Sequence, residues 1–170
     1  MGNKISIGAA YKDQDLDGST ITNATITAST ITGSTLAGAS VATTAGITSS
    51  GATGAGIGYA TGAGGTVTQA TNRTTGVTIN KLSGAITTHT ASLGAELSAA
   101  FIVTNSTVAI GDVPVVAIRS GNDNLQTGVH VSIVTAGTFS ITVTNHTAAA
   151  GAAETGAIII NFAVIKAVSA

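Results

Sequence analysis

Six aliphatic side chains stand five residues apart near the start of the chain: Leu16, Ile21, Ile26, Ile31, Leu36 and Val41. A step of five turns a side chain by about 140° on an α-helix and carries it to the opposite face of a strand, so neither element gathers this set on one side. Two positions before each of the last five stands a small residue, Ser19, Ala24, Ser29, Ser34 or Ala39. A backbone that turns a corner every few residues does gather them, with the aliphatic residue toward an axis, a small one beside it, and Thr or Ser toward water. This is the logic of β-helical repeats, whose units bury their apolar residue only by stacking on neighbours. Six pentads in a single chain offer little core against an ordering entropy of roughly 1 to 2 kcal/mol per residue. Three chains wound together triple that core, so the pattern predicts a short homotrimeric stem, β-helical or intertwined. The competing reading is a Thr-rich linker without fixed structure.

The remainder of the chain reads as strands. From Thr66 onward, runs rich in β-branched residues alternate with turn signals: "TVTQ", "GVTIN", "GAITTHT", "LSAAFIVTN", "DVPVVAIRS", "GVHVSIVTA", "TFSITVTN" and "GAIIINFAVIKA". Branched side chains lose rotamer freedom in a helix and suit a pleated sheet, so these eight runs predict eight strands. In "VHVSIVTAGTFSITVTN" the residues Val129, Val131, Ile133, Phe139, Ile141 and Val143 alternate with polar ones, which predicts one buried face. The "AGT" at 136–138 has the length of a hairpin turn. The three Phe residues read as core. The last run is apolar on both faces and is expected to lie within a sheet or against a second subunit. The chain therefore divides into an N-terminal arm and pentad stem (1–44), a Gly-rich linker or collar (45–65) and a head (66–170). The fold class is all-β, the head a β-sandwich, jelly-roll-like, of about eight strands.

Charge is scarce: six basic and seven acidic side chains in 170 residues, net charge −1. That excludes a basic footprint for nucleic acid or an anionic membrane. The longest apolar run, "AIIINFAVIKAV", is shorter than a bilayer helix and contains Asn161 and Lys166, so a soluble chain is expected. No charged region followed by an apolar core suggests a signal peptide. There is no cysteine, which removes disulfides and thiolate chemistry together.

Few residues look chemical. Asp13, Asp15, Asp17 and Gly18 match the opening of a calcium loop, but the position of its bidentate carboxylate is Ala24, so the three Asp are weak metal candidates only. "MGNKIS" fits the myristoylation pattern, as many ordinary chain starts do. Gly54, Gly56 and Gly58 never complete a dinucleotide or phosphate fingerprint. His89, His130 and His146 are far apart in sequence; meeting on a trimer axis they could hold a metal, and the plainer expectation is exposed or hydrogen-bonded imidazole. A glycosidase needs two placed carboxylates, and the head offers only Glu96, Asp112, Asp123 and Glu154, none in a telling context. Asn23, Asn72, Asn105 and Asn145 each begin an N-x-Thr sequon, as a Thr-rich composition produces unaided. No catalytic residue and no cofactor is expected.

"GIGYATGAGGTVTQATNRTTGVTINKLSGAITT" (56–88) and "INFAVIKA" (160–167) resemble a domain found repeatedly at the C-termini of tailed-phage and prophage structural proteins. The pentads are similar to the Thr-rich stems of phage fibres and head-decoration proteins; they also resemble pentapeptide repeats, with Thr or Ser where those carry an acidic or Asn residue. The resemblance implies a non-enzymatic, trimeric virion component. Because the chain is shorter than a typical tail fibre, it is expected on the capsid surface. Its N-terminal region, with Lys4, Tyr11, Lys12, Asp13, Asp15 and Asp17, would dock on the major capsid protein, and its head would project outward. The alternative is a tail-fibre or spike tip that binds host-surface glycan through loop residues such as Asn122 and Asp123.

Overall fold

The protein is described by a computed structural model over residues 58–59 and 62–167. The described part is all-β. Its strands are β1 (Thr66–Thr68), β2 (Val77–Thr78), β3 (Ser83–Thr87), β4 (Ser98–Thr104), β5 (Val113–Ser120), β6 (Thr127–Thr135), β7 (Thr138–Asn145) and β8 (Ile159–Ile165). Each overlaps one of the eight runs read from the sequence, and no helix occurs among the described residues.

The strands form two four-stranded sheets, β1-β3-β8-β5 and β2-β4-β7-β6. Both are mixed. Four pairs are antiparallel, β3–β8, β5–β8, β4–β7 and β6–β7, while the edge strands β1 and β2 run parallel to β3 and β4. The chain alternates between sheets through its first four strands, so β1 and β3 meet after a full crossing and return, and point the same way. Such parallel edge pairs distinguish the head from a jelly roll built only of antiparallel pairs. Pro114 lies in β5, at the edge of its sheet, where a residue without an N–H is tolerated.

One apolar core lies between the sheets. Ile86, Ile160, Phe162 and Val164 come from the first, and Phe101, Val103, Phe139, Ile141 and Val143 from the second. The rings of Phe139 and Phe162, 5.6 Å apart, join the central strands of the two sheets. All three Phe residues are core, as expected. Each fully buried large side chain contributes about 1.5 to 3 kcal/mol, and the alternation in β4 and β7 places every second residue inward.

One side chain departs from the expected alternation. Val129 and Val131 pack against the core, but Ile133 is 61% exposed and Val134 faces inward in its place. The pairing of β6 with β7 shifts between Val131 and Ile133, so one extra residue is accommodated there. A bulge advances the two-residue period by one and turns every later side chain over. The hairpin that follows pairs Thr135 with Thr138 and turns through Gly137, at φ 78°.

Candidate interaction surfaces

The pentad residues Leu16, Ile21, Ile26, Ile31, Leu36 and Val41 lie outside the described residues, as do Lys4, Tyr11, Lys12, Asp13, Asp15 and Asp17. The surfaces of the head carry what can be said about a site.

Three carboxylates of the head are engaged in holding loops. Glu154 is fully buried. Its Oε1 accepts from the N–H groups of Asp123 (3.0 Å) and Gly156 (2.7 Å), and its Oε2 from the Asn124 N–H (3.1 Å) and the Thr127 hydroxyl (2.7 Å). Four donors fill the acceptor capacity of a carboxylate, leaving none for a substrate. Burial alone pushes this carboxyl up; the donors, with Asp123 foremost, outweigh it and hold Glu154 below its ordinary value. Arg73, also buried, donates to the carbonyls of Ala91, Glu154 and Gly156 and to the Thr88 hydroxyl, so it clamps the backbone from Glu154 to Gly156. Burial lowers its pKa, and the charges of Glu154 and Asp123 oppose that.

Asp112 accepts from the Ala109 N–H, from Lys166 Nζ and from the Ala167 N–H. The Ala109 bond and then Lys166 hold its carboxyl below the ordinary value. This pair clasps the end of β8 to the loop before β5. Asp123 accepts from the Thr155 hydroxyl, and Glu96 is an exposed turn residue at φ 61°. Three of the four carboxylates, Glu154, Asp112 and Asp123, thus anchor turns instead of facing one cleft. His89 Nδ1 accepts from the Ala91 N–H, while His130 and His146 are exposed. Among the described residues no group of three His, Asp or Glu side chains converges as a metal site.

Three N-x-Thr tripeptides have a structural use. Asn72, Asn105 and Asn145 each accept, through Oδ1, the N–H of the residue two further on: Thr74, Thr107 and Thr147. These are Asx-turns, and two of them end β4 and β7. Asn105 and Asn145 are fully buried. The recurring "VTN-x-T" at 103–107 and 143–147 is the sequence signal for these strand ends.

Asn145, Asn124 and Glu154 together organise the β5–β6 loop. Asn124 Nδ2 donates to Asn145 Oδ1 (3.0 Å) and to the Thr147 hydroxyl, and its Oδ1 accepts the Gln126 N–H. Gly121 opens the loop at φ 83°, where a Cβ would stand 2.2 Å from the Ala157 carbonyl oxygen. On this wired scaffold Leu125 is 95% exposed.

The outer faces of the two sheets differ in chemistry. That of β4, β6 and β7 carries hydroxyls bonded side chain to side chain, Ser98 to Thr144, Thr142 to Ser132 and Thr135 to Thr138, together with two exposed isoleucines, Ile102 and Ile133, both opposite Ser140. That of β5 and β8 is aliphatic at one end: Val113 lies opposite Ile165 and Val115 opposite Ala163, and Val113, Val115 and Ile165 are each about half exposed. Tyr59 lies beside them, its hydroxyl donating to the Val164 carbonyl. Gly58, Tyr59, Val115, Ala163, Ile165 and Lys166 line an open cleft of about 640 Å³. β8, apolar on both faces in sequence, is indeed central in its sheet, and this cleft is where its outer side is left uncovered.

No protein-family model, no curated protein and no solved structure matches the chain.

Proposed function

We propose that the protein is a non-enzymatic virion component: a homotrimer on the outer surface of a phage capsid, with a pentad-repeat stem and a β-sandwich head. The observation that carries this reading is the strip of half-exposed aliphatic side chains, Val113, Val115 and Ile165, beside Tyr59 on the outer face of β5 and β8. A contiguous exposed apolar strip of this kind suits a building element that makes a fixed contact in an assembly. The carboxylates support the same reading, since those of Glu154, Asp112 and Asp123 are occupied in anchoring loops. The five-residue repeat and the resemblance of residues 56–88 and 160–167 to phage structural domains supply the trimer and the virion. In this proposal residues 1–44 dock on the major capsid protein and the head points outward.

The test is direct. Light scattering on the full chain is expected to give a trimer, and electron microscopy of virions to find it on the capsid. Deleting residues 1–44 abolishes capsid binding and leaves a folded head. A monodisperse monomer, or a trimer found only on the tail, refutes the proposal. A glycan-binding tip is the second reading, favoured by the rigid β5–β6 loop with Asn122 and Asp123 at its turn. It requires glycan binding that is lost when those residues are changed.

A further inference from the structure

We infer that the aliphatic end of the β5–β8 face is the surface through which one head meets the next copy of this chain. The inference rests on the trimer proposed above and adds to it a location on the head. Val113, Val115 and Ile165 form a strip that is about half exposed, flanked by Ala163 and Tyr59. It carries one charged side chain, Lys166, whose ammonium is already paired with Asp112 and bonded to the Thr107 carbonyl. A second copy of the same strip therefore meets no unpaired like charge, whereas a basic or acidic partner would find no complement. The other outer face also exposes two aliphatic side chains, Ile102 and Ile133, but sets them among bonded hydroxyl pairs.

Chain connectivity selects the same face. Residues 1–57 join the head through Gly58 and Tyr59, which line the cleft on this strip. If three copies are gathered by their pentads, each head is tethered to its partners at this point, and the surface nearest the tether is the one turned toward them. Contact occurs through faces instead of strand edges, because Pro114 interrupts the N–H row of the edge strand β5.

The natural chain has no cysteine, so single thiols report without background. In the full chain, Val115→Cys is compared with Leu125→Cys, and Ile165→Cys serves as a second probe of the strip. With a short bis-maleimide, Val115→Cys and Ile165→Cys are expected to give covalent dimers, and Leu125→Cys none. In the native trimer the Val115→Cys thiol is expected to alkylate at least tenfold more slowly than that of Leu125→Cys, and equally fast after denaturation. A trimer in which Val115→Cys alkylates within twofold of Leu125→Cys, with no cross-link from either strip position, overturns the inference and leaves the proposed function standing. The same holds if Val115→Asp remains trimeric but fails to join the capsid, which makes the capsid protein the occupant. A monomeric full chain overturns both.

Discussion

Glu154→Gln is the substitution that most directly tests how the head is held together. Each oxygen of the native carboxylate takes two donors, so whichever oxygen becomes the amide nitrogen, at least one backbone N–H loses its acceptor: that of Asn124 on one side, or those of both Asp123 and Gly156 on the other. The Thr127 hydroxyl can turn and accept from the new amide; a backbone N–H cannot. An unsatisfied buried donor costs about 1 to 3 kcal/mol, and a bond to a charged acceptor contributes about 1.5 to 3 kcal/mol. Arg73 also loses the nearby negative charge that opposes its burial. Allowing for relaxation, the expected loss is about 3 kcal/mol, or roughly 12 to 20 °C in Tm for a head of this size. Urea unfolding at neutral pH and fixed protein concentration measures it. The dependence on pH provides a second signature. Glu154 is depressed below its ordinary value of 4.5, so its contribution is complete above that pH and is lost as pH falls through the folded value. The two proteins should therefore converge in stability under acid. A neutral-pH difference below about 0.5 kcal/mol, or one that persists unchanged into acid, refutes the account of Glu154 as an anionic clasp.

Three further outcomes are expected. Gly121→Ala forces a Cβ to 2.2 Å from the Ala157 carbonyl at φ 83°, and should cost about 2 kcal/mol or more in denaturant unfolding. Ile133→Thr should change stability by less than about 0.5 kcal/mol, because the side chain is exposed, whereas Ile141→Ala on the paired strand should cost about 3 kcal/mol; comparable losses would deny the bulge. Asp112→Asn should free the end of β8, seen as faster amide exchange at Lys166 and Ala167, and because the native carboxyl is depressed the difference from the parent should fade as pH drops below its ordinary value of 3.8.

The strands were legible because β-branched residues and a period of two need only local sequence to be recognised. Phe139, Ile141 and Val143 could be assigned to the core from that period alone. Ile133 could not, since "SIVT" fits either register and the choice is made by pairing with β7. The polar centre was less visible still. Arg73 and the carbonyls it binds at Glu154 and Gly156 are more than 80 residues apart, and no spacing rule joins them. Glu154 stands in "AAETGA", where it looks like an ordinary surface residue. The sequons were visible but ambiguous, because an Asx-turn and a glycosylation acceptor share the same tripeptide. The aliphatic strip was half legible: β8 reads as apolar on both faces, but only the topology shows that, among the described residues, no third layer lies over its outer side at Ala163 and Ile165.

The placement of Tyr59 against Val164 has a practical corollary. The described segment begins and ends at the same corner, with Gly58 and Lys166 lining one cleft, while the β5–β6 loop follows the far end of an eight-residue strand, about 25 Å away. A head of this shape behaves as a plug-in cassette. It can be spliced into the surface loop of an unrelated scaffold through two adjacent ends without stretching either. A peptide grafted next to Leu125 is then displayed at the opposite pole, separated from the join by the full length of the sheet.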